Sequence, residues 1–182
     1  MSNIGPLEVL RFWFEELDPA DWWKSSDALD ARIREQFGSL HAAASRMELH
    51  CWRCEPAGRL AEVIVLDQFS RNLYRDRPEA FAQDGAALAL AQEAVSCGDD
   101  QRVTTAQRSF FYLPFMHSES ALIHARAVDL FAQPGLEGNL EYELKHRAII
   151  ERFGRYPHRN AALGRTSSAE ELAFLRQPGS SF

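Results

Sequence analysis

Asp67, Arg71 and Arg75 recur at four-residue intervals along a segment that we expect to be helical. On an α-helix this spacing places the three side chains in one stripe, and an acid four residues before an arginine is the favourable order for an ion pair. Asp67 could therefore orient Arg71 in a structural network between packed helices. Alternatively, the two guanidinium groups could form the floor of an anion pocket, because each can donate two parallel hydrogen bonds to a carboxylate or phosphate.

A second set of candidate groups, His117 and Glu119, follows Pro114, which we expect to break one helix shortly before the next begins. The two side chains could supply metal ligands or a general acid–base pair. A zinc site would need further ligands, for which only His146 and His158, distant in the sequence, are obvious, and there is no His-Glu-x-x-His motif. A hydrogen-bonded interior histidine is therefore favoured, and no metal or cofactor is predicted.

The third set lies in the most basic part of the chain. Residues 144–165 hold six basic side chains and one acid, a net charge of +5, although the whole chain carries −6. The loop after Gly154 concentrates Arg155, His158, Arg159, Asn160 and Arg165 around two glycines and a proline. Such a loop could bind a phosphate or carboxylate, or it could neutralise helix C-termini and buried carboxylates of the same chain.

If these three sets form one ligand site, the sequence predicts a site for an anion. Its arginines and histidine would be Arg71, Arg75, Arg155, His158, Arg159 and Arg165, and the supporting polar network would be Asp67, His117, Glu119, His146 and Asn160. Guanidinium groups would bind the anion, and glycines in the loop would let backbone N–H groups approach it.

The elements that position these residues are predicted to be helices. Ala, Leu, Arg and Glu supply 79 of the 182 residues, whereas Val, Ile and Thr supply only 15, so a sheet-rich fold is excluded. Apolar periodicity and capping residues predict seven or eight helices: from Pro6, from Ser26 or Asp27, over Arg59–Tyr74, from Pro78 to Gly98, from Thr104 toward Pro114, from a Ser118 cap to Pro134, over about 140–153, and a short one capped by Ser167 with Glu170.

One predicted helix carries a pattern of alternating charge. Glu143, Arg147, Glu151 and Arg155 follow one another at four-residue steps, which is typical of a solvated, salt-bridged helix face. Nothing in the chain resembles a linker, so the sequence predicts a single all-α domain over residues 1–182 with a short C-terminal tail at 178–182.

Several of these segments also resemble one known family. They are Leu66–Arg75, Tyr112–Glu119 and Arg152–Arg165, together with Phe12-Trp13-Phe14, Leu60-Ala61, Phe81, Asp84, Ala87 and Leu88. In this combination the chain resembles, nearly end to end, the bacterial family catalogued as domain of unknown function 924. The resemblance implies an all-helical fold similar to tetratricopeptide-repeat superhelices, and it brings no established activity.

Composition excludes several classes of protein. No apolar run is long enough to span a bilayer, the first residues lack a signal-peptide pattern, and the acidic total argues against a general nucleic-acid binder. Three cysteines, an odd number, suggest a reducing cytoplasm, and Cys51 and Cys54 lack the second pair that zinc would need. The phosphate-binding loop, serine-hydrolase and dinucleotide motifs are missing too.

Two functions from different classes remain. The favoured one is a non-catalytic binding or scaffold protein whose tetratricopeptide-like groove receives a peptide or protein partner, with Trp22, Trp23 and Trp52 as candidate anchors. The alternative is an enzyme or binder of a small anionic ligand that uses the Arg/His/Asp set. Convergence of those side chains on one pocket would favour the alternative, and full pairing with internal carboxylates and carbonyls would favour the binding protein.

Overall fold

The computed structural model describes residues 4–180, which contain eight α-helices and no β-strand. The all-α class and the predicted number of helices are confirmed, while the tetratricopeptide-like arrangement stays a prediction. The helices are α1 (Pro6–Arg11), α2 (Asp27–Ser45), α3 (Pro56–Leu73), α4 (Asp84–Ser96), α5 (Thr105–Met116), α6 (Ala121–Phe131), α7 (Glu137–Phe153) and α8 (Ala169–Phe174). No helix in this range is both long and apolar enough to cross a bilayer.

The described chain divides into two compact units. The first comprises the residues up to Arg75 together with Glu79–Pro114, and the second comprises Asp76–Pro78 and the residues from Phe115 onward. That the chain forms a single domain stays a prediction. Of the predicted tail, residues 181 and 182 lie outside the described residues, and Ser180 is buried with its hydroxyl donating to the Leu175 carbonyl at 3.1 Å.

The first unit is built around α3, which packs against α1, α2 and α4. This helix is buried on most of its sides, and Leu60, Ile64 and Phe69 are completely buried within it. The chain enters the unit through α1, which continues as a π-helical turn over Phe12–Glu16. A π turn bonds residues five apart and so holds one more residue than an α turn.

Gly58 allows an unusually close approach in the first unit. A short 3₁₀ turn, His50–Cys54, precedes α3, and a Cβ atom at Gly58 would lie 1.9 Å from the Trp52 carbonyl oxygen. The turn is also held by Arg53, which donates two hydrogen bonds of 2.7 Å to the fully buried Glu62 on α3. Only glycine fits where the two backbones meet.

Pro114 does not end its helix, contrary to the sequence prediction. α5 runs on to Met116, and Phe115 and Met116 are both buried. Proline in a helix costs about 3 kcal/mol, but burying two large apolar side chains contributes about 1.5–3 kcal/mol each. Burial therefore outweighs the lost backbone hydrogen bond, and His117 and Glu119 lie in the connection before α6 instead of at its start.

In the second unit α6 packs against α7, and a small apolar core of Ile149, Ile150 and Tyr156 forms beyond them. α7 ends at Gly154 as predicted, and this residue adopts the left-handed conformation with φ +68°. Two predicted caps differ in register: α6 begins after Ser120, not Ser118, and the capping box of α8 is Ser168 with Glu171, one residue later than predicted. At the other end of the chain, Ser26 caps α2 as one of the two predicted alternatives.

Candidate functional site

The stripe on α3 forms a network within the first unit. Arg71 makes a two-point contact with Asp84 of α4, with distances of 3.0 and 3.2 Å, and it donates to the Asp67 carbonyl at 2.8 Å. Its guanidinium also lies 3.3 Å from the Asp67 carboxylate, which is 1 % exposed. Arg71 therefore contacts carboxylates of both α3 and α4, and its role, structural or in a ligand site, stays a prediction.

Arg75 was expected on the same helical stripe but lies two residues beyond the end of α3, where it contacts α2. Its guanidinium donates two hydrogen bonds of 2.9 Å to Asp30, and the Asn72 amide donates to the same carboxylate at 2.8 Å. Asp30 is a buried acid in the first turn of α2. Arg71 and Arg75 thus bind carboxylates of α4 and α2, and a site that they share with the basic loop stays a prediction.

In the basic loop, Arg155 forms an ion pair with Glu171 of α8. Its guanidinium donates to both carboxylate oxygens of Glu171 at 2.7 and 2.9 Å and to the Thr166 carbonyl at 3.0 Å. Hydrogen bonds from Arg155 and from the Ser168 backbone lower the pKa of Glu171 to about 2. Glu171 thereby completes the α8 capping box and fixes the loop to the helix.

Arg165 pairs with Glu119 from the connection before α6. The two groups share hydrogen bonds of 2.7 and 2.9 Å, and the Tyr156 N–H donates to the same carboxylate at 2.7 Å. Arg165 also donates to the Asn160 amide oxygen at 2.9 Å. Burial alone would raise the pKa of Glu119, but the donors from Arg165 and Tyr156 outweigh it and lower the pKa. The predicted residues Glu119, Asn160 and Arg165 are therefore brought together.

Three histidines and one arginine surround the Tyr156 ring. The ring centroids of His124, His146 and His158 lie 6.2, 5.7 and 5.4 Å from that of Tyr156. The Arg159 guanidinium lies 4.6 Å from the ring centroid, a cation–π distance, and donates to the His117 carbonyl at 3.0 Å. We call Tyr156 and these four side chains the Tyr156 cluster.

His124 of the cluster also forms a fully buried pair with Glu143, which was not predicted. His124 and Glu143 are 0 % exposed, and Nδ1 of His124 lies 2.7 Å from Oε1 of Glu143. Glu143 was predicted to lie on a solvated helix face, which is wrong. It lies three residues before the buried His146 and seven before the buried Ile150, so α7 turns it toward the interior.

Two hydrogen bonds hold the ring of His124 in place. Nε2 lies 2.8 Å from the Ser118 carbonyl, which can only accept, so Nε2 carries a proton. Burial raises the pKa of Glu143, which favours the neutral form of its carboxyl group. Among the described residues nothing hydrogen bonds Oε2 of Glu143, which an uncharged carboxyl tolerates better than a carboxylate.

His146 is also neutral. Nδ1 donates to the Tyr142 carbonyl at 2.8 Å, and burial lowers the pKa of His146 to about 3, with the neighbouring histidines adding to the effect. Within residues 4–180, no three His, Cys, Asp or Glu side chains are placed to hold a metal ion. Cys51, Cys54 and Cys97 are exposed free thiols.

An exposed aromatic surface lies in the first unit. Trp23 is 59 % exposed, although its ring stacks on the buried Phe110 with centroids 6.2 Å apart and planes at 12°. Trp22 packs edge-on against Phe14 and Phe110, and its indole N–H donates to the Trp13 carbonyl at 2.8 Å. We call Phe14, Trp22, Trp23 and Phe110 the Trp23 shelf. Trp52, the third predicted anchor, is half-buried in the turn before α3.

A cleft of about 440 Å³ lies in the same unit. It is lined by Leu7, Glu8, Leu10, Arg11 and Glu15 of the first helix and its π turn, together with Ala57 of α3 and Gln107 of α5. Gln107 lies three residues before Phe110 on α5, and Glu15 directly follows Phe14. Since residues three apart on a helix are neighbours, the cleft and the Trp23 shelf lie side by side. We call this feature the α1 cleft.

Comparison with known proteins identifies the family. The model of the family "Bacterial protein of unknown function (DUF924)" matches residues 9–179. The chain belongs to this family. It is also similar to a solved structure, a protein of unknown function, ATU0120, from Agrobacterium tumefaciens, with 38 % sequence identity and a TM-score of 0.90 over 94 % of this chain and 96 % of that one. No curated protein matches the chain. Family membership supports the all-α fold and assigns no activity.

Proposed function

We propose that this protein is a non-catalytic binding protein, and that the Trp23 shelf and the α1 cleft hold a basic segment with apolar anchors from a partner protein. The observation that carries the proposal is Trp23, a large side chain that stays 59 % exposed while its ring rests on the buried Phe110. Tryptophans in such a setting are enriched among residues that dominate binding energy.

The rings of the Trp23 shelf already pack against one another. Trp22 is fixed by its hydrogen bond to Trp13 and by edge-on contacts with Phe14 and Phe110, and its ring lies 6.3 Å from that of Trp23. A partner that covers Trp23 would remove on the order of 100 Å² of apolar surface from water, worth about 2–3 kcal/mol. Because the aromatic rings are already packed, little conformational entropy is lost on binding.

The charge around the shelf indicates the chemistry of the partner. Over residues 4–23 the chain has five acids and one base, Arg11, which pairs with Glu16 at 3.5 Å. Glu8 and Glu15 line the α1 cleft itself. Lys or Arg residues on either side of apolar anchors would complement this surface, which favours encounter with basic partners over acidic ones.

The pairing of the arginines with carboxylates of the same chain supports a binding function over a catalytic one. Arg155 and Arg165 hold the internal carboxylates Glu171 and Glu119, and Arg71 and Arg75 hold Asp84 and Asp30. These pairs join helices and loops, which supports a structural role for the arginines. We also propose a cytoplasmic location, which the three exposed free thiols support.

A selection experiment tests the proposal. Random 12-residue peptides displayed on phage are selected against the full chain, and the enriched peptides are measured by isothermal titration. We expect sequences with aromatic or aliphatic residues between Lys and Arg, binding that weakens as salt rises, and at least about a tenfold loss of affinity in Trp23→Ala, or 1.4 kcal/mol.

Leu122→Ala is the matched control, because Leu122 is 80 % exposed on α6 in the other unit. Peptides that bind Trp23→Ala and the native chain equally, enrichment of acidic sequences, or no enrichment at all would contradict the proposal. In parallel, phosphate and carboxylate compounds are screened by thermal shift at low salt. Stabilisation that Arg165→Gln abolishes would support the predicted anion site instead.

A further inference from the structure

A second cleft in the first unit is lined mostly by polar side chains, unlike the aromatic Trp23 shelf. It measures about 340 Å³, within the range of small-ligand sites, and lies between the second half of α2 and the chain around the start of α4. Its polar lining residues are His41, Ser45, Arg46, Tyr74, Glu79 and Gln83. Ala42 and Ala82 complete its walls. We call it the His41 cleft.

His41 lines this cleft and carries an unused hydrogen-bond acceptor. It is only 4 % exposed, and its Nε2 lies 2.8 Å from the Ser70 hydroxyl. Ser70 donates its own proton to the Leu66 carbonyl at 2.5 Å, so Nε2 must donate to Ser70 and Nδ1 keeps its lone pair. Burial lowers the pKa of His41 and keeps the ring neutral. No group of residues 4–180 hydrogen bonds Nδ1.

Ser45 lies four residues further along α2, on the same helix face. Its hydroxyl oxygen is buried, and no partner for it is present in the described part of the chain. A buried hydroxyl without a partner destabilises the fold, and alanine would also be the better helix former at this position. Two polar groups one turn apart therefore line one cleft with unused hydrogen-bonding capacity.

The remaining walls limit what could bind. The Tyr74 ring lies 5.5 Å from the His41 ring, inclined by 58°, and forms a flat apolar wall. Arg46 is held by Glu48 through two hydrogen bonds of 2.7 and 2.8 Å, so its charge is balanced. The lining thus mixes acceptors and donors beside an aromatic face.

We propose that the His41 cleft binds a small neutral polyhydroxy compound of monosaccharide size, with its ring against Tyr74 and hydroxyls bonded to His41 and Ser45. A hydroxyl both donates and accepts, so it can give its proton to Nδ1 of His41 and receive one from Ser45 or Gln83. An ammonium group could only donate and would leave the Ser45 and Gln83 protons unused. A carboxylate could only accept and would oppose His41 Nδ1 and Glu79.

The test uses the full chain and a panel of free hexoses, free pentoses and inositol, measured by saturation-transfer-difference NMR and isothermal titration. We expect at least one compound to bind, with the strongest transfer to the C–H groups on one face of its ring. Ser45→Ala should weaken this binding at least fivefold and leave the thermal midpoint equal or higher. Tyr74→Leu should weaken it at least tenfold.

Ser39→Ala is the matched control, because Ser39 is an exposed serine on the same helix. This variant should bind the panel compounds as tightly as the native chain does. Methylammonium and acetate serve as control ligands that should not bind. The proposal is overturned if no panel compound binds, if Ser45→Ala binds as tightly as the native chain, if Ser45→Ala lowers the thermal midpoint, or if only the charged control ligands bind.

Discussion

His146 should make the second unit sensitive to mild acid. Its folded-state pKa is about 3, far below the ordinary 6.5, because burial disfavours the charged ring and the charges of neighbouring histidines add to the effect. Below pH 6.5 the His146 imidazole becomes protonated in the unfolded chain, whereas in the folded chain it stays neutral down to about pH 3. The stability that His146 contributes is therefore complete above pH 6.5 and is lost progressively as the pH falls.

The size of the effect follows from the two pKa values. Between pH 7.5 and pH 5, the unfolded imidazole becomes protonated while the folded one stays neutral, which lowers the free energy of unfolding by about 2 kcal/mol. His41, whose pKa burial also lowers, contributes in the same direction, so the native profile alone does not isolate His146. The carboxylates Glu119 and Glu171 have lowered pKa values, so their contribution to the free energy of unfolding is lost only below about pH 4.5.

The assay is urea unfolding at constant ionic strength from pH 5 to pH 7.5. In His146→Asn the amide takes the place of Nδ1 and can still donate to the Tyr142 carbonyl, as the imidazole does at 2.8 Å. We expect this variant to be less stable at pH 7.5 but to lose about 2 kcal/mol less on acidification. His50→Asn, at an exposed position, should follow the native profile. Parallel profiles for His146→Asn and the native chain would refute the reasoning.

Two further predictions concern single contacts. Gly58→Ala should destabilise the first unit by about 2–3 kcal/mol, because the new Cβ meets the Trp52 carbonyl, whereas Gly38→Ala, in open space on α2, should stabilise it by about 0.5–1 kcal/mol in the same urea assay. Glu143→Gln should cost about 1 kcal/mol at pH 7, since the amide can keep a hydrogen bond to Nδ1 of His124, and Glu143→Ala about 3 kcal/mol. Equal losses for Gln and Ala would contradict this reasoning.

The helices were predictable because their signals are local. Spacing of apolar residues and the Ser26 cap depend only on neighbours in the sequence, and α2 begins where they indicate. The capping box of α8 was ambiguous by one residue, since Ser167 with Glu170 and Ser168 with Glu171 fit the same motif. Tertiary contacts decide the register: Arg155 binds Glu171, and the Ser167 hydroxyl accepts from Asn160 at 3.0 Å.

Partners of the polar groups were predictable only in part. The pairing of Arg71 with Asp67 follows from helical spacing, but Asp84 and Asp30 reach α3 from other helices. Glu143 was wrongly predicted to be exposed, because the alternating charges suggested a solvated helix face. The opposing signal was its position on the apolar side of the helix, three residues before His146 and seven before Ile150. The partner of Glu143, His124, comes from α6, so no local pattern could name it.

The π turn at Phe12–Glu16 has a consequence for how chain length can vary. Elsewhere in a buried helix, one inserted or deleted residue rotates every following side chain by about 100°. Here the wider turn already absorbs one extra residue between Arg11 and Leu17, so deleting the exposed Glu15 should restore a regular α-helix and leave the buried Leu17 in place. Relatives one residue shorter are expected to carry their gap at this point.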